Sequence, residues 1–152
     1  MTFTVPGRPK ALARKRVFRH GSRMVFAPAK GDGAFRDRVA FFAKEAGVQF
    51  LTGPVEMRVD FYFDRPMRLC RKGSDPERKW NPSRPDADNL LKGTCDALNG
   101  VAWRDDAQVV NVWVGKWYHE IGGVPRTEIV ILEIAGCGRE MKIRPRAFQT
   151  ET

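Results

Sequence analysis

The chain has 152 residues, 42% of them hydrophobic, and 27 Lys+Arg against 18 Asp+Glu give it a net charge of +9 and a pI near 9.9. That length and composition suit one soluble globular domain with a real core, and exclude a disordered chain or a disulfide scaffold. The charge speaks of partners rather than fold: nucleic acid first, an anionic membrane second, and no apolar run approaches the 18 residues a spanning helix needs.

Met1 to Val5 is a short extended segment closed by Pro6-Gly7. Arg16 to Phe26 mixes β-formers and basic residues around His20-Gly21-Ser22, which predicts a hairpin. Residues 30–49 predict an amphipathic helix, with Phe35, Val39, Phe42, Ala43 and Ala46 on one stripe and Gly47 near its end. Residues 54–64 alternate as a strand, with Val55, Met57, Val59, Phe61 and Phe63 on one face. Residues 65–85 carry four prolines and a glycine and predict a long basic loop of the functional or disordered kind. Residues 87–99 predict a second helix, packed through Leu90, Leu91, Thr94, Cys95 and Leu98 and stopped by Asn99-Gly100.

Residues 108–118 predict a strand with Val110, Val112 and Val114 on one face and Trp113 and Trp117 on the other. A turn at Gly122-Gly123-Val124-Pro125 leads to a last strand, Arg126 to Ile134. Residues 136–152 are polar and basic without apolar periodicity, and are expected to form a mobile tail on a domain spanning 1–135. The order of elements predicts an α+β domain, a mixed or antiparallel sheet covered by two helices.

Three scattered cysteines, Cys70, Cys95 and Cys137, lack zinc-ligand spacing and form no disulfide framework, so a reducing cytoplasm is expected. His20 and His119, nearly a hundred residues apart, do not make a zinc site. No Ser-His-Asp or Cys-His constellation and no glycine-rich phosphate loop stands out. Residues 1–31 hold Arg8, Lys10, Arg14, Lys15, Arg16, Arg19, Arg23 and Lys30 with no acidic residue. A second basic stretch runs through Arg65, Arg68, Arg71, Lys72, Arg78, Lys79 and Arg84. Two such stretches flanking an acidic centre suit a groove that tracks phosphates.

That centre is Asp86, Asp88, Asp96, Asp105 and Asp106. Carboxylates clustered inside a polycation suit a hard divalent cation at a scissile phosphate, because Mg²⁺ prefers oxygen ligands and metal-assisted hydrolysis needs them there. Asp86 and Asp88 lie on one side of an extended approach, although either alone would serve as a helix N-cap. Lys92 follows Asp88 by four residues and Asp96 follows Lys92 by four, which permits either a surface ion-pair ladder or an ammonium beside the metal. Asp96 points further round the helix and is read as structural. Of Asp105 and Asp106, one is expected to face the site and the other solvent, and spacing does not choose between them. Trp80 and Trp103 are candidates for stacking on opened bases or for core packing.

Pro85-Asp86-x-Asp88-Asn89-Leu90-x-Lys92, Asp96-Ala97-Leu98-Asn99-Gly100 and Asp105-Asp106-Ala107-Gln108-Val109 together resemble the RusA family of Holliday junction resolvases, in particular its phage and prophage members. The weaker likeness extends from the N-terminal basic segment to about Ile134, while residues 65–84 and the tail are poorly covered. The resemblance implies a homodimeric, Mg²⁺-dependent endonuclease that resolves four-way DNA junctions by paired nicks, with Mn²⁺ as a substitute metal. Its essential carboxylates map by motif onto Asp86, Asp88 and Asp106, and its essential lysine onto Lys92. Lys116, before an aromatic, matches a lysine that family members often carry. Arg14, Lys15, Arg16, Arg19, Arg71, Lys72, Arg84 and Lys116 are the expected DNA contacts. Branched DNA, a second copy of the chain and the cytoplasm of a bacterial or phage-infected cell are the expected partners and place, with no membrane. This chain lacks the paired asparagine that some members carry in the N-terminal loop, where it reads Lys10 to Arg16. The remaining readings are a nuclease for other branched DNA, a non-catalytic basic DNA-binding module, and a metal-dependent ribonuclease.

Overall fold

The computed structural model describes residues 1–11, 16–20, 23–27 and 33–134. The strands are β1 (Thr2–Pro6), β2 (Arg16–His20), β3 (Arg23–Ala27), β4 (Val55–Phe63), β5 (Lys79–Trp80), β6 (Val109–Tyr118) and β7 (Arg126–Glu133), and the helices are α1 (Gly33–Glu45) and α2 (Ala87–Leu98). Five strands form one sheet in the order β1-β7-β4-β6-β5, while β2 and β3 pair as the predicted hairpin in a separate two-stranded sheet. β4 runs parallel to β6 and antiparallel to β7, so the sheet is mixed and the domain α+β, as the order of elements predicts.

The alternation in β4 places Val55, Met57, Val59, Phe61 and Phe63 in the core, all buried. Ile129 and Ile131 of β7 and Phe3 and Val5 of β1 continue that face, and Phe35, Val39 and Ala43 of α1 with Leu90 and Leu98 of α2 cover it. α1 ends at Glu45, earlier than its apolar stripe suggests, and Ala46 is exposed. Gly47 takes a left-handed conformation (φ 67°), and the Gly47 and Val48 N–H groups return to the Lys44 and Ala43 carbonyls, closing the helix.

The segment 65–85 is more ordered than the loop its composition predicts. It holds a 3-10 turn, Met67–Leu69, and the short strand β5. Arg65 is buried, and its guanidinium donates to the carbonyls of Asp75, Pro76 and Glu77 at 2.7–3.2 Å. An arginine counted with the basic surface thus serves as a staple for its own loop. Arg78 is similarly engaged, donating to Tyr62 Oη at 2.8 Å and lying over the Trp117 ring.

On the face of the sheet away from the helices, Asp60 is buried beneath Trp117 Nε1, which donates to it at 2.5 Å, and Arg58, which donates to it at 3.1 Å. Gly115 lies directly opposite Asp60 in β6, and a Cβ there would collide with both the carboxylate and the indole nitrogen. The expected tail and residues 12–15, which include Arg14 and Lys15, lie outside the described residues.

Candidate active site

Asp86 stands at the N-cap of α2 with extended backbone angles (φ −70°, ψ 145°), and its carbonyl accepts from the Leu90 N–H at 3.2 Å. Its carboxylate makes no capping hydrogen bond, so the ordinary use of an aspartate at this position is not taken up. Asp88 follows in the first turn, where the unpaired N–H groups of the helix start favour negative charge. Both side chains are exposed. The helix that carries them is fixed through buried Leu90, Thr94, Cys95, Ala97 and Leu98, with Leu91 half-buried.

Lys92 is exposed on the same helix, one turn past Asp88. None of the ion pairs among the described residues includes Lys92, Asp88 or Asp96, so the i,i+4 ladder that the spacing permits is not formed.

Asp105 and Asp106 have different surroundings. Asp105 is the N-cap of the 3-10 turn Asp106–Gln108, and its carboxylate accepts from the Ala107 N–H at 2.8 Å. Gln108 completes the box by accepting from the Asp105 N–H at 3.4 Å and from the Arg104 N–H at 2.9 Å. The Gln108 amide also donates to the Leu51 and Gly53 carbonyls, tying the turn to the segment that leads into β4. Asp106 is the first residue of that turn, exposed, and in none of the side-chain hydrogen bonds or ion pairs among the described residues. It lies near enough to α2 to act on Cys95, whose thiol is pushed up to about 11 by burial first and then by the Asp106 and Asp96 carboxylates. Cys95 is therefore a neutral thiol at ordinary pH.

The approach to Asp86 is held by a bracket that the sequence did not single out. The Asn81 N–H donates to the Lys116 carbonyl at 2.9 Å, and Asn81 Oδ1 accepts from the Ser83 N–H at 2.9 Å. Lys116 Nζ donates to the Ser83 carbonyl at 2.7 Å, and Ser83 Oγ shares a 3.0 Å hydrogen bond with Tyr118 Oη. Asn81 is buried. Four interactions thus converge on Asn81 and Ser83, just before Asp86. Lys116, expected as a phosphate contact, has its ammonium on this loop. The Asn81-Pro82-Ser83 sequence is a turn signal of the kind in which an Asn side chain bonds the backbone two residues on, and it could have pointed to the bracket.

Of the other expected DNA contacts, Arg71, Lys72 and Arg84 are exposed, while Arg16 and Arg19 lie in β2. Trp103 is fully buried in the core and donates its Nε1 to Asn99 Oδ1 at 2.8 Å, which removes it as a base-stacking residue. Trp80 is 55% exposed and stacks on Trp117 at 3.6 Å.

Among the described residues, no three of His, Cys, Asp and Glu stand close enough together to hold a metal ion. Asp86, Asp88 and Asp106 nonetheless suit a hard cation in kind: all are carboxylates, all are exposed, and no cation of the protein neutralises them within the described residues. Mg²⁺ keeps several waters and is commonly held by one or two carboxylates together with substrate phosphate, so a closed cage of three protein ligands is not required.

A family model described as Endodeoxyribonuclease RusA matches residues 6–132. The uncharacterized protein YqaN of Bacillus subtilis (strain 168) is 36% identical over 140 residues, covering 88% of this chain and 96% of YqaN. No helix among the described residues is long and apolar enough to cross a membrane.

Proposed function

The chain belongs to the RusA family of endodeoxyribonucleases, and from that premise we propose that it is a Mg²⁺-dependent nuclease that resolves four-way DNA junctions by paired symmetric nicks. The observation that carries this reading is the contrast between neighbouring carboxylates. Asp105 is engaged as a cap, whereas Asp86, Asp88 and Asp106 are exposed and make no side-chain hydrogen bond or ion pair among the described residues, on a protein of net charge +9. Carboxylates exposed on such a surface repel a DNA backbone unless a cation joins them to it.

Asp86, Asp88 and Asp106 would hold Mg²⁺, with Mn²⁺ as a substitute, only together with the substrate phosphate, since the three carboxylates do not close a site by themselves. The bound ion would activate water and neutralise charge on the scissile phosphate. Lys92 presents an exposed ammonium one turn from Asp88, unpaired among the described residues and suited to stabilising charge that develops on the phosphate oxygens. Asn81, Ser83, Lys116 and Tyr118 fix the segment that delivers Asp86, so Lys116 acts as a positioning residue. Arg71, Lys72 and Arg84, with the N-terminal basic stretch, would contact phosphates, which sets position without reading bases. One carboxylate set per chain and two nicks per junction call for two copies, most simply related by a twofold axis.

The test is cleavage of labelled four-way, Y-shaped and linear duplex DNA with and without Mg²⁺. Symmetric nicks in the four-way junction only with Mg²⁺ are expected. Equal cutting of the Y-shaped substrate would replace the resolvase with a general branched-DNA nuclease. Binding without turnover would leave a DNA-binding module.

A further inference from the structure

Trp80 is a large aromatic ring held in one orientation at the surface, and the site described above does not use it. It is 55% exposed, lies in the edge strand β5, and stacks on Trp117 with ring centroids 3.6 Å apart and planes 23° from parallel. Trp117 is itself fixed. It is buried, its Nε1 donates to Asp60, and the Arg78 guanidinium lies 4.2 Å from its ring centroid. The Trp80 backbone is held by pairing with Trp117 across the two strands and by the bond from the Asn81 N–H to the Lys116 carbonyl. One face of the Trp80 indole is thus covered by Trp117, and the other is presented to solvent with its direction already set.

The charge around this ring has one sign. Residues 78–84 hold Arg78, Lys79 and Arg84 and no acidic residue. Arg78 is held by neutral partners, the Tyr62 hydroxyl at 2.8 Å and the Trp117 ring, and keeps its charge. Arg84 is exposed and in none of the ion pairs among the described residues. Lys79 meets Asp75 in an exposed pair of little strength. Asp86 follows Trp80 after a stretch that spans at most ~20 Å of chain, and the Asn81–Ser83 bracket fastens that stretch. An indole plane, an arginine and the first candidate carboxylate come in order along one fixed segment.

We propose that Trp80 stacks on a base at the branch point of the DNA, and so favours branched over linear substrates. A nucleobase fits this surface in both its parts. Its flat apolar face covers the indole, and its phosphate supplies the negative charge that Arg78 and Arg84 do not find in the protein. Because the ring is already oriented, little ordering is lost on binding. Inside a linear duplex both faces of every base are taken by its neighbours, and Trp80 finds nothing to cover. Where arms meet, stacking is interrupted and a base face lies open. Every base has such a face, so the ring reads the break in stacking and not the sequence. This role rests on the branched-DNA reading above and adds to it a residue that gives selectivity.

Binding without Mg²⁺ tests it with turnover excluded. The wild type, Trp80→Phe and Trp80→Leu are titrated against a four-way junction and a linear duplex of equal length, with Tm measured alongside. Leu keeps an apolar cover over Trp117 but offers no ring. Trp80→Leu should bind the junction about tenfold or more weakly, the size of one lost base–aromatic stack, and the duplex as before. Trp80→Phe should recover most of the loss. With the wild type, 5-iodouracil at the branch point should photocrosslink to Trp80, and the same base inside an arm should not. Unchanged junction affinity in Trp80→Leu whatever its Tm, an equal loss on the duplex, or crosslinks only to other residues overturns the proposal. A Trp80-dependent preference for the junction in a protein that cuts no DNA leaves the stacking role standing and removes the nuclease reading. Mg²⁺-dependent junction cleavage by a protein whose binding ignores Trp80 does the reverse.

Discussion

Asp105 and Asp106 are adjacent, identical in chemistry and both exposed, yet their substitutions should separate stability from catalysis. Asp105→Ala removes the acceptor of the 2.8 Å bond from the Ala107 N–H. The freed N–H lies at an exposed turn and regains water, so no desolvation penalty is added. The Gln108 arm of the box remains, holding Arg104, Leu51 and Gly53. The loss is therefore that of a single cap, about 1 kcal/mol, which in a domain of this size lowers Tm by roughly 2–4 °C. Asn caps as well as Asp, so Asp105→Asn should melt within a degree or so of the wild type and keep its turnover. Asp106→Asn breaks no side-chain hydrogen bond among the described residues and should leave Tm unchanged, while Mg²⁺-dependent junction cleavage is lost and junction binding is kept or strengthened. The assay is thermal melting followed by circular dichroism alongside single-turnover cleavage of a labelled four-way junction. Near-normal turnover by Asp106→Asn, or loss of turnover by Asp105→Asn at unchanged Tm, would refute the assignment.

Asp86→Asn and Asp88→Asn should each abolish cleavage without weakening junction binding, checked by gel shift and turnover together, since removing a negative charge does not weaken phosphate attraction. Lys92→Ala should lower turnover by about 10²–10³ with no change in Tm, because the ammonium has no ion-pair partner among the described residues to lose. Wild-type turnover in that variant would return Lys92 to the ordinary surface. Junction affinity should fall steeply with salt, and neutralising Arg14, Lys15 and Arg16 together should flatten the slope of log K against log salt; an unchanged slope removes that segment from the DNA interface. Cys95, with its thiol raised from 9.0 to about 11, is neutral in the folded state at pH 7.5 and should resist thiol reagents that label exposed Cys70. The folded state holds that proton more tightly than the unfolded chain does. Its contribution to stability is thus complete below about pH 9 and lost as pH rises towards 11, visible as a falling denaturant midpoint that Cys95→Ala should lessen.

The sequence by itself determined the α+β class, the two helices, the hairpin and the alternating core face of β4, because period and caps are short-range properties written in consecutive residues. It also marked Asp86, Asp88 and Lys92 as candidates, since their spacing on one helix start is local. It overestimated the freedom of other polar groups. Arg65 reads as surface charge until its own loop folds back on it, and Trp103 reads equally as a stacking or a core residue until the core closes over it. The family motif selected Asp106 over Asp105, but only the tertiary structure showed that Asp105 is taken up as a cap, and only it gathered Asn81, Ser83, Lys116 and Tyr118 into one bracket. The physical reason is common to all of these. Whether a polar side chain or a strand edge is available depends on the partners that folding brings to it, and here those partners are as distant as Leu51 from Gln108 and Ser83 from Lys116.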